Sequence, residues 1–492
     1  MSRLPDSTDE IGTAVAGSEP QPSDLWSLSA AELAELYSAG AVSPIEVADA
    51  VLVRVEAFNP TLGAYITVTA ERALADARAA EARLVADDRI SPLDGVPYSL
   101  KDVEPTAGIK STYGSIFFRD HVPAEDSLVA RRLRAAGAVL LGKTNTPHLG
   151  YKDTTDNLIG PTARNPWNIE RTTGGSSGGA AAAVAAGLGP VAQGGDGGGS
   201  IRIPAALCGV FGLKPTFGLV PRVPSLDAWD AIATVGPITR TVRDAALTLA
   251  VMAGPDDRDP WAALNSADYV RACSDGLGGL RAGFSLDLGH ALVDESVRHA
   301  VTQAVTQLAD LGATVTEVNL AWPQIRRAFE IVYETGLGAR LERLLAEHGP
   351  QPLEPSLEAL IERSHGWSAH DLREAAFVRT DFYRAVNDTF ASIDVLITPT
   401  MPLTAWSAEP DRMDGPAGTT VSNILDRLPF TYPFNFTTMP AATVPCGFSS
   451  DGLPIGLQLV AAREREDLIF ATAAAYEACH PWANNWPPGF GG

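Results

Sequence analysis

The chain has 492 residues, 45% of them hydrophobic, so it can bury a large core without a cofactor to organise it. Its formal charge of −22, from 59 acidic and 37 basic residues, argues against nucleic-acid binding, which needs clustered Lys and Arg. Four widely spaced cysteines (Cys208, Cys273, Cys446 and Cys479) include no CxxC pair, which argues against a zinc site and against a disulfide framework.

Residues 1–24 are polar and rich in Ser, Pro and acidic residues, and they lack the apolar stretch of a signal peptide. They are expected to be a disordered tail. No run of 18 or more apolar residues suggests a membrane span, so a cytoplasmic location is the default expectation. Residues 25–492 show no composition shift that would mark a linker and no internal repeat, and are expected to form one domain. Ser29-Ala30-Ala31-Glu32 is a capping box that opens a short helix, which Gly40 can end. Ser43-Pro44-Ile45-Glu46 opens a second helix, expected to stop near Phe58 before Asn59-Pro60. Residues 64–69 read as a strand and 70–84 as an Ala-rich helix. Short apolar strands are expected over 97–101 and 138–141, with a helical pattern at 126–135 between them. Further strands are expected at 281–286 and 395–398, and the region 326–388 reads as mostly helical. Its charges, such as Arg340, Arg343 and Glu347, read as a solvated face. This alternation favours an α/β fold around a largely buried mixed sheet.

Two glycine-rich turns carry the chemistry. Gly174-Gly175-Ser176-Ser177-Gly178-Gly179 and Gly197-Gly198-Gly199-Ser200 place two serines 24 residues apart, with an alanine-rich segment between them. Lys101 ends the apolar stretch that begins at Pro97. A buried lysine whose pKa has fallen can take a proton from a serine, the work histidine does elsewhere. The three glycines before Ser200 can let successive N–H groups converge into an oxyanion hole, although glycine runs are more often plain loops. Ser177 could cap the following helix. Asp196 and Arg202 flank Ser200 and are expected to pair and pin the loop. Gly174-x-Ser176-x-Gly178 also fits a nucleophile elbow, but residues 164–173 read as polar and turn-like where a strand is needed, and the downstream His365, His370 and His480 each sit in a polar stretch. Gly137 to Thr144 fits a phosphate-loop pattern by letter, but residues 138–141 read as a strand where an open loop is needed. No metal-spaced cluster of His and acids is present, and no cofactor is expected.

The arrangement resembles the amidase signature family. The resemblance extends to Lys143-Thr144-Asn145, Gly160-Pro161-Thr162, Asn165-Pro166-Trp167, the run from Ile201 to Thr216, Asp394 to Thr400, and Gly452 to Gln458. It implies a single large α/β/α sandwich around a twisted mixed β-sheet. It implies Ser200 as nucleophile, Ser176 as a bridging serine on a cis peptide bond with Gly175, and Lys101 as base. It further implies that the N–H groups of Gly197, Gly198, Gly199 and Ser200 bind the oxyanion, and that Leu149, Gly150 and Tyr151 line the acyl pocket. Gly195 and Gly197 depart from the commoner pattern of hydroxyl or branched residues, which brings loop rigidity into question. Phe117, Phe118, Trp229, Phe430 and Phe434 are candidate aromatic walls, with core packing the plainer role for most of them. The substrate expected is a small-molecule amide with a medium-sized apolar or aryl acyl group, and carbamates or esters stay open. A homodimer also stays open, and neither nucleic acid nor membrane is an expected partner. The rival reading is the glutamine-hydrolysing amidase subunit of a tRNA-dependent amidotransferase.

Overall fold

Two serines set the first helices. Ser29 Oγ accepts the Glu32 N–H at 3.2 Å while the Glu32 carboxylate takes the Ser29 N–H at 2.8 Å, and α1 follows over Ala30–Ser38. Ser43 and Glu46 form the same box before α2, Pro44–Leu62. α2 outlasts its expected end at Phe58: Pro60 lies inside it, and the helix stops only at Gly63, left-handed at φ 55°. A proline in the final turn forfeits one N–H bond. The Asn59 side chain then clasps Tyr65, accepting its N–H at 2.7 Å and donating to its C=O at 3.1 Å.

The computed structural model describes residues 22–263, 267–410 and 412–491. The first 21 residues of the expected tail therefore lie outside the described residues, and a 3-10 helix at Pro22–Ser27 precedes α1. After α2 come β1 (Tyr65–Val68), α3 (Ala70–Val85), β2 (Pro97–Lys101), α4 (Leu128–Ala135) and β3 (Val139–Thr144). A small hairpin, β4 (Arg164–Asn165) with β5 (Asn168–Thr172), leads to α5 (Gly178–Ala185), β6 (Val191–Asp196), α6 (Arg202–Cys208), β7 (Phe211–Lys214) and β8 (Thr234–Thr239), so that, against expectation, a short strand does precede the Ser176 turn. Next are α7 (Val242–Met252), α8 (Tyr269–Ala272), β9 (Arg281–Phe284), α9 (Glu295–Asp310) and β10 (Thr314–Glu317). The helical region is α10 (Arg326–His348), α11 (Pro355–His365) and α12 (Ala369–Thr389). The chain closes with β11 (Val395–Pro399), α13 (Tyr432–Phe436), β12 (Ala441–Phe448), β13 (Pro454–Ala461) and α14 (Glu466–Cys479).

Among the described residues, eleven strands join one mixed sheet in the order β1-β3-β2-β6-β8-β7-β12-β13-β11-β9-β10. β2 pairs in parallel with β3 and β6, and β9 with β10 and β11; the other neighbours run antiparallel. β2, β3 and β13 are buried along their whole length, as strands covered on both faces are. α5 and α6 pack on each other and over β6, β7, β8, β12 and β13, whereas α7, α8 and α14 form a second group over many of the same strands. The two groups thus cover opposite faces, which is the expected α/β architecture. β3 runs past its expected end at Leu141 and carries Lys143 and Thr144 into the sheet, so the segment that mimics a phosphate loop is a strand.

α5 is buried at every residue, and its glycines have a packing reason. A Cβ on Gly179 would run into the Ala64 carbonyl and the Asn145 N, with the Asn145 carbonyl at 2.7 Å. These are backbone atoms of the segments flanking β1 and β3, which cannot swing aside. The helix therefore sits closer to the sheet than any side chain would allow. Gly179→Ala should cost about 3 kcal/mol or more in stability by overpacking. Gly276→Ala, at a site with no neighbour within 4 Å, should stay within about 0.5 kcal/mol of the parent. Urea denaturation of the two variants checks this, and equal stabilities would contradict the close approach.

Candidate active site

β2 delivers Lys101 to the edge of a buried pocket of polar groups. Its backbone N–H donates to Gln193 Oε1 on β6 at 3.0 Å, which locks the strand end, and its Nζ donates to Ser176 Oγ at 2.6 Å. Both side chains are 2% exposed. Burial drives the lysine pKa down to about 7, with Asp196 and Glu104 opposing the fall. Near neutral pH about half of the Lys101 amines therefore stand unprotonated beside the serine hydroxyl.

The turn that carries Ser176 is built from residues without side chains. The Gly175–Ser176 peptide is cis, and Gly174 is left-handed at φ 73°. A Cβ on Gly175 would overlap the Thr154 backbone. The next N–H, from Ser177, donates to the Ser200 carbonyl at 3.0 Å, so the two glycine-rich turns are stitched together by backbone. Ser177 is not a side-chain cap for α5. Its hydroxyl instead spans to the N–H and C=O of Gly195, both at 3.2 Å, and so braces the end of β6.

Asp196 organises the loop before Ser200. Its carboxylate accepts the N–H groups of Gly199 at 2.8 Å and Ile201 at 3.2 Å, and the Nε and Nη2 of Arg202 at 3.0 Å each. Arg202 is fully buried and extends the network to Gln458 Oε1 and Asn435 Oδ1, both at 2.7 Å. Burial works against the Asp196 carboxylate, but the Arg202 guanidinium and its hydrogen bonds, with Lys214 behind them, hold its pKa well below the ordinary value. The expected pairing is thus present, and it answers the question of rigidity. Gly195 and Gly197 have room around them, with Thr234 O at 3.8 Å and Ala233 Cβ at 3.5 Å from where their Cβ atoms would stand. The loop is held by Asp196, not by side chains at those two positions.

The same network corrects one expectation. The Gly199 N–H is spent on Asp196 and is not available to an oxyanion. Among the described residues, the N–H groups of Gly197, Gly198 and Ser200 have no protein acceptor. Gly199 has a different duty: at φ 130°, a side chain there would collide with Thr431 and Ile203. Thr431 Oγ1 also donates to the Gly198 carbonyl at 2.7 Å, turning that oxygen away from the open side.

The three expected pocket residues separate. His148–Gly150 forms a 3-10 turn in which Leu149 is left-handed at φ 51°. A Cβ on Gly150 would stand 3.3 Å from Ser176 Oγ and 3.8 Å from Lys101 Nζ, so this glycine is directly against the pair. Tyr151 is turned away. It packs with Leu341, Leu357 and Leu360 of α10 and α11, and its hydroxyl is 2.7 Å from Glu354 Oε2 and Ser356 Oγ. Leu149 is half-buried against the same cluster. Of the candidate aromatics, Phe430 and Phe434 are core residues and Trp229 is 73% exposed, while Phe117 and Phe118 are half-buried. Arg343 and Glu347 are exposed and paired at 2.9 Å as expected, but Arg340 is half-buried and desolvated.

Gln193, Asn435 and Tyr113 escaped the sequence reading, because nothing in their own neighbourhoods marks them. Lys143, a second buried lysine, donates to Ser111 Oγ at 2.8 Å and lies 3.6 Å from Asp102, which explains both residues structurally. Among the described residues, no group of three or more His, Cys, Asp or Glu could hold a metal ion, and no helix is long and apolar enough to cross a membrane.

Comparison with known proteins gives concordant matches. The Amidase family profile matches residues 46–470. An acylamidase of Rhodococcus erythropolis is 38% identical, over 94% of this chain and 97% of that protein. One of the glutamyl-tRNA(Gln) amidotransferase subunits of Roseiflexus castenholzii is 36% identical, over 94% of this chain and 98% of that one. The crystal structure of a bacterial aryl acylamidase of the amidase signature enzymes superposes with a TM-score of 0.88 at 32% identity, covering 93% of this chain and 97% of that one.

The depressed lysine has a consequence for stability. Between about pH 7 and 10.5 the unfolded chain holds a proton on Lys101 that the folded chain has released, so stability rises with pH across that window. Lys101→Met removes this ionisation, while the likewise depressed Lys214 titrates in both proteins and cancels. Wild-type stability measured against Lys101→Met should climb by up to about 1.4 kcal/mol per pH unit from pH 7 to 10. Urea melts at four pH values read this, and a flat difference would mean that the folded amine keeps its proton.

Proposed function

We propose, because the chain belongs to the Amidase family and is a hydrolase of amide bonds, that it cleaves carboxylic amides through an acyl-enzyme on Ser200. The observation that carries this reading is the 2.6 Å bond from the desolvated Lys101 amine to Ser176 Oγ, in a turn stitched by backbone to Ser200. In this reading Ser200 Oγ attacks the carbonyl carbon, and its proton passes through Ser176 to Lys101. The oxyanion meets the N–H groups of Gly197, Gly198 and Ser200. When the C–N bond breaks, the proton returns through Ser176 to the departing nitrogen, and the amine leaves. Water then attacks the Ser200 ester by the same relay, releasing the carboxylic acid and restoring the hydroxyl. Asp196 and Arg202 position the loop. Gly150 leaves space beside Ser176 that any side chain would fill. The similarity to an acylamidase and to an aryl acylamidase structure favours an apolar or aryl acyl amide.

A second reading is supported by the amidotransferase subunits, similar at 34–37% identity, and would make glutamine the amide. Ammonia release from glutamine, set against aniline release from simple anilides, separates the two.

Ser200→Ala should lose covalent labelling by a fluorophosphonate and nearly all turnover; labelling that survives on Ser176 or Ser177 would move the nucleophile. Lys101→Ala should reduce anilide hydrolysis by about 100-fold or more, and hydrolysis of the phenyl ester with the same acyl group far less, because a phenolate leaves without a delivered proton. Equal losses would remove the leaving-group role. Protonation of Lys101 below about pH 7 takes away the base, so kcat/KM for anilides should fall towards tenfold per pH unit on the acid side. A profile that stays flat to pH 5 would contradict it.

A further inference from the structure

α10 runs along one side of the site. Phe329 Cζ is 3.7 Å from where a Gly198 Cβ would stand, the Tyr333 hydroxyl donates to the Tyr151 carbonyl, and the His348 ring lies 5.8 and 5.5 Å from those of Phe117 and Phe118. Phe329, Tyr333, Arg340 and His348 succeed one another four, seven and eight residues apart, which keeps them on one helix face. Arg340 is therefore on the inner face. It is half-buried, and among the described residues no oxygen accepts from its guanidinium.

Tyr113 is its counterpart from the other wall. Its N–H donates to the Asp102 carbonyl at 2.8 Å, and its carbonyl accepts the Leu149 N–H at 2.8 Å. Its left-handed backbone, at φ 56°, thus joins the residue after Lys101 to the turn that sets Gly150 against Ser176. The ring lies tilted against that of Phe118, centroids 4.9 Å apart, and among the described residues the hydroxyl has no hydrogen-bond partner. Tyr113 and Arg340 are within electrostatic range of each other, and Arg222 bears on Arg340 as well. Asp230 lies within range of Arg222, Arg379 and Arg340 but, among the described residues, forms no ion pair with them. Glu104, near Tyr113, accepts from the Gln193 amide at 3.3 Å. His148, between the two walls, is neutral: burial pushes its pKa down to about 4.

We propose that the Arg340 guanidinium and the Tyr113 hydroxyl form a recognition subsite for a carboxylate carried by the substrate away from its scissile amide. The inference rests on the amidase reading of Lys101, Ser176 and Ser200, and narrows the substrate to amide acids. Two half-buried donors without protein acceptors are both satisfied when a substrate carboxylate takes the place of solvent on them. A planar guanidinium fork matches the two oxygens of a carboxylate, and a phenol adds a third donor.

The test measures binding separately from turnover. In a Ser200→Ala background, calorimetry would compare 4-acetamidobenzoate with neutral 4-acetamidotoluene, and succinanilate with butyranilide, covering a carboxylate on either side of the amide. A carboxylate should raise affinity in at least one pair. Arg340→Met should then lower affinity for that acid by about 10- to 100-fold, with a distinctly smaller change for its neutral partner, and Tyr113→Phe by about 3- to 10-fold. Should Arg340→Met fail to fold, Arg340→Lys, which keeps the charge but not the fork, gives the same comparison. Equal affinities within both pairs overturn the proposal. So do equal losses in the variant, or a preference for 4-acetamidobenzylamine over both acids. Persistent hydrolysis by Ser200→Ala would strike the nucleophile assignment alone, since the affinities still report on Arg340 and Tyr113.

Discussion

The buried pair between Asp196 and Arg202 is the interaction on which the rest of the site depends. Neither charge touches water, and their remaining hydrogen-bonding capacity is taken up by Gly199, Ile201, Asn435 and Gln458. Removing one member of such a pair leaves the other charge stranded, typically at a cost of about 3–5 kcal/mol. That asymmetry makes the loop stiff even though it is nearly all glycine. Glycine lets the backbone reach the required shape, and the carboxylate then holds it there. The freedom usually associated with a glycine run is thus used during folding and is gone in the folded chain.

The three buried lysines, on β2, β3 and β7, show how surroundings divide one chemistry into different roles. Lys143 has an acid, a hydroxyl and a carbonyl around it, which offset part of what burial does to lower its pKa. Lys214 donates to a single carbonyl and lies near Arg202, so both burial and a like charge disfavour its protonation. Lys101 has the Ser176 hydroxyl as its side-chain hydrogen-bond partner and, unlike Lys143, no carboxylate in contact. Burial weakens all three amines as acceptors of charge, but only at Lys101 does the neighbouring hydroxyl belong to the turn stitched to Ser200.

Much of this was legible in the sequence, for physical reasons that can be named. The capping boxes at Ser29 and Ser43 act over three residues, and the strand at Pro97–Lys101 is marked by its own apolar run. The glycine-rich turns declare a backbone that side chains would obstruct, as Gly175 and Gly179 confirm. What stayed hidden depends on partners distant in the chain. The Gly199 N–H counts as free until Asp196 is known to face it. Tyr151 belongs with the pocket by position, yet Glu354 and the α10–α11 cluster draw it outward. Arg340 has the pattern of a surface charge, and only the packing of α10 turns it inward. The helix α2 passed its proline because Asn59 ties its end to Tyr65, a compensation no local propensity records.

The reach of the Arg202 side chain bears on how the protein is made. Lys101, Ser176 and Ser200 are all synthesised within the first 200 residues, but Arg202 meets Asn435 and Gln458 across separations of 233 and 256 residues. β7, just after the loop, likewise pairs with β12 from the last part of the chain. A nascent chain emerging from the ribosome therefore carries these three side chains long before it can seat them. The lysine is still hydrated and protonated at that stage, and the serines are ordinary hydroxyls. In the reading proposed above, activity would arrive only with the final strands, once Asn435 and Gln458 have seated Arg202.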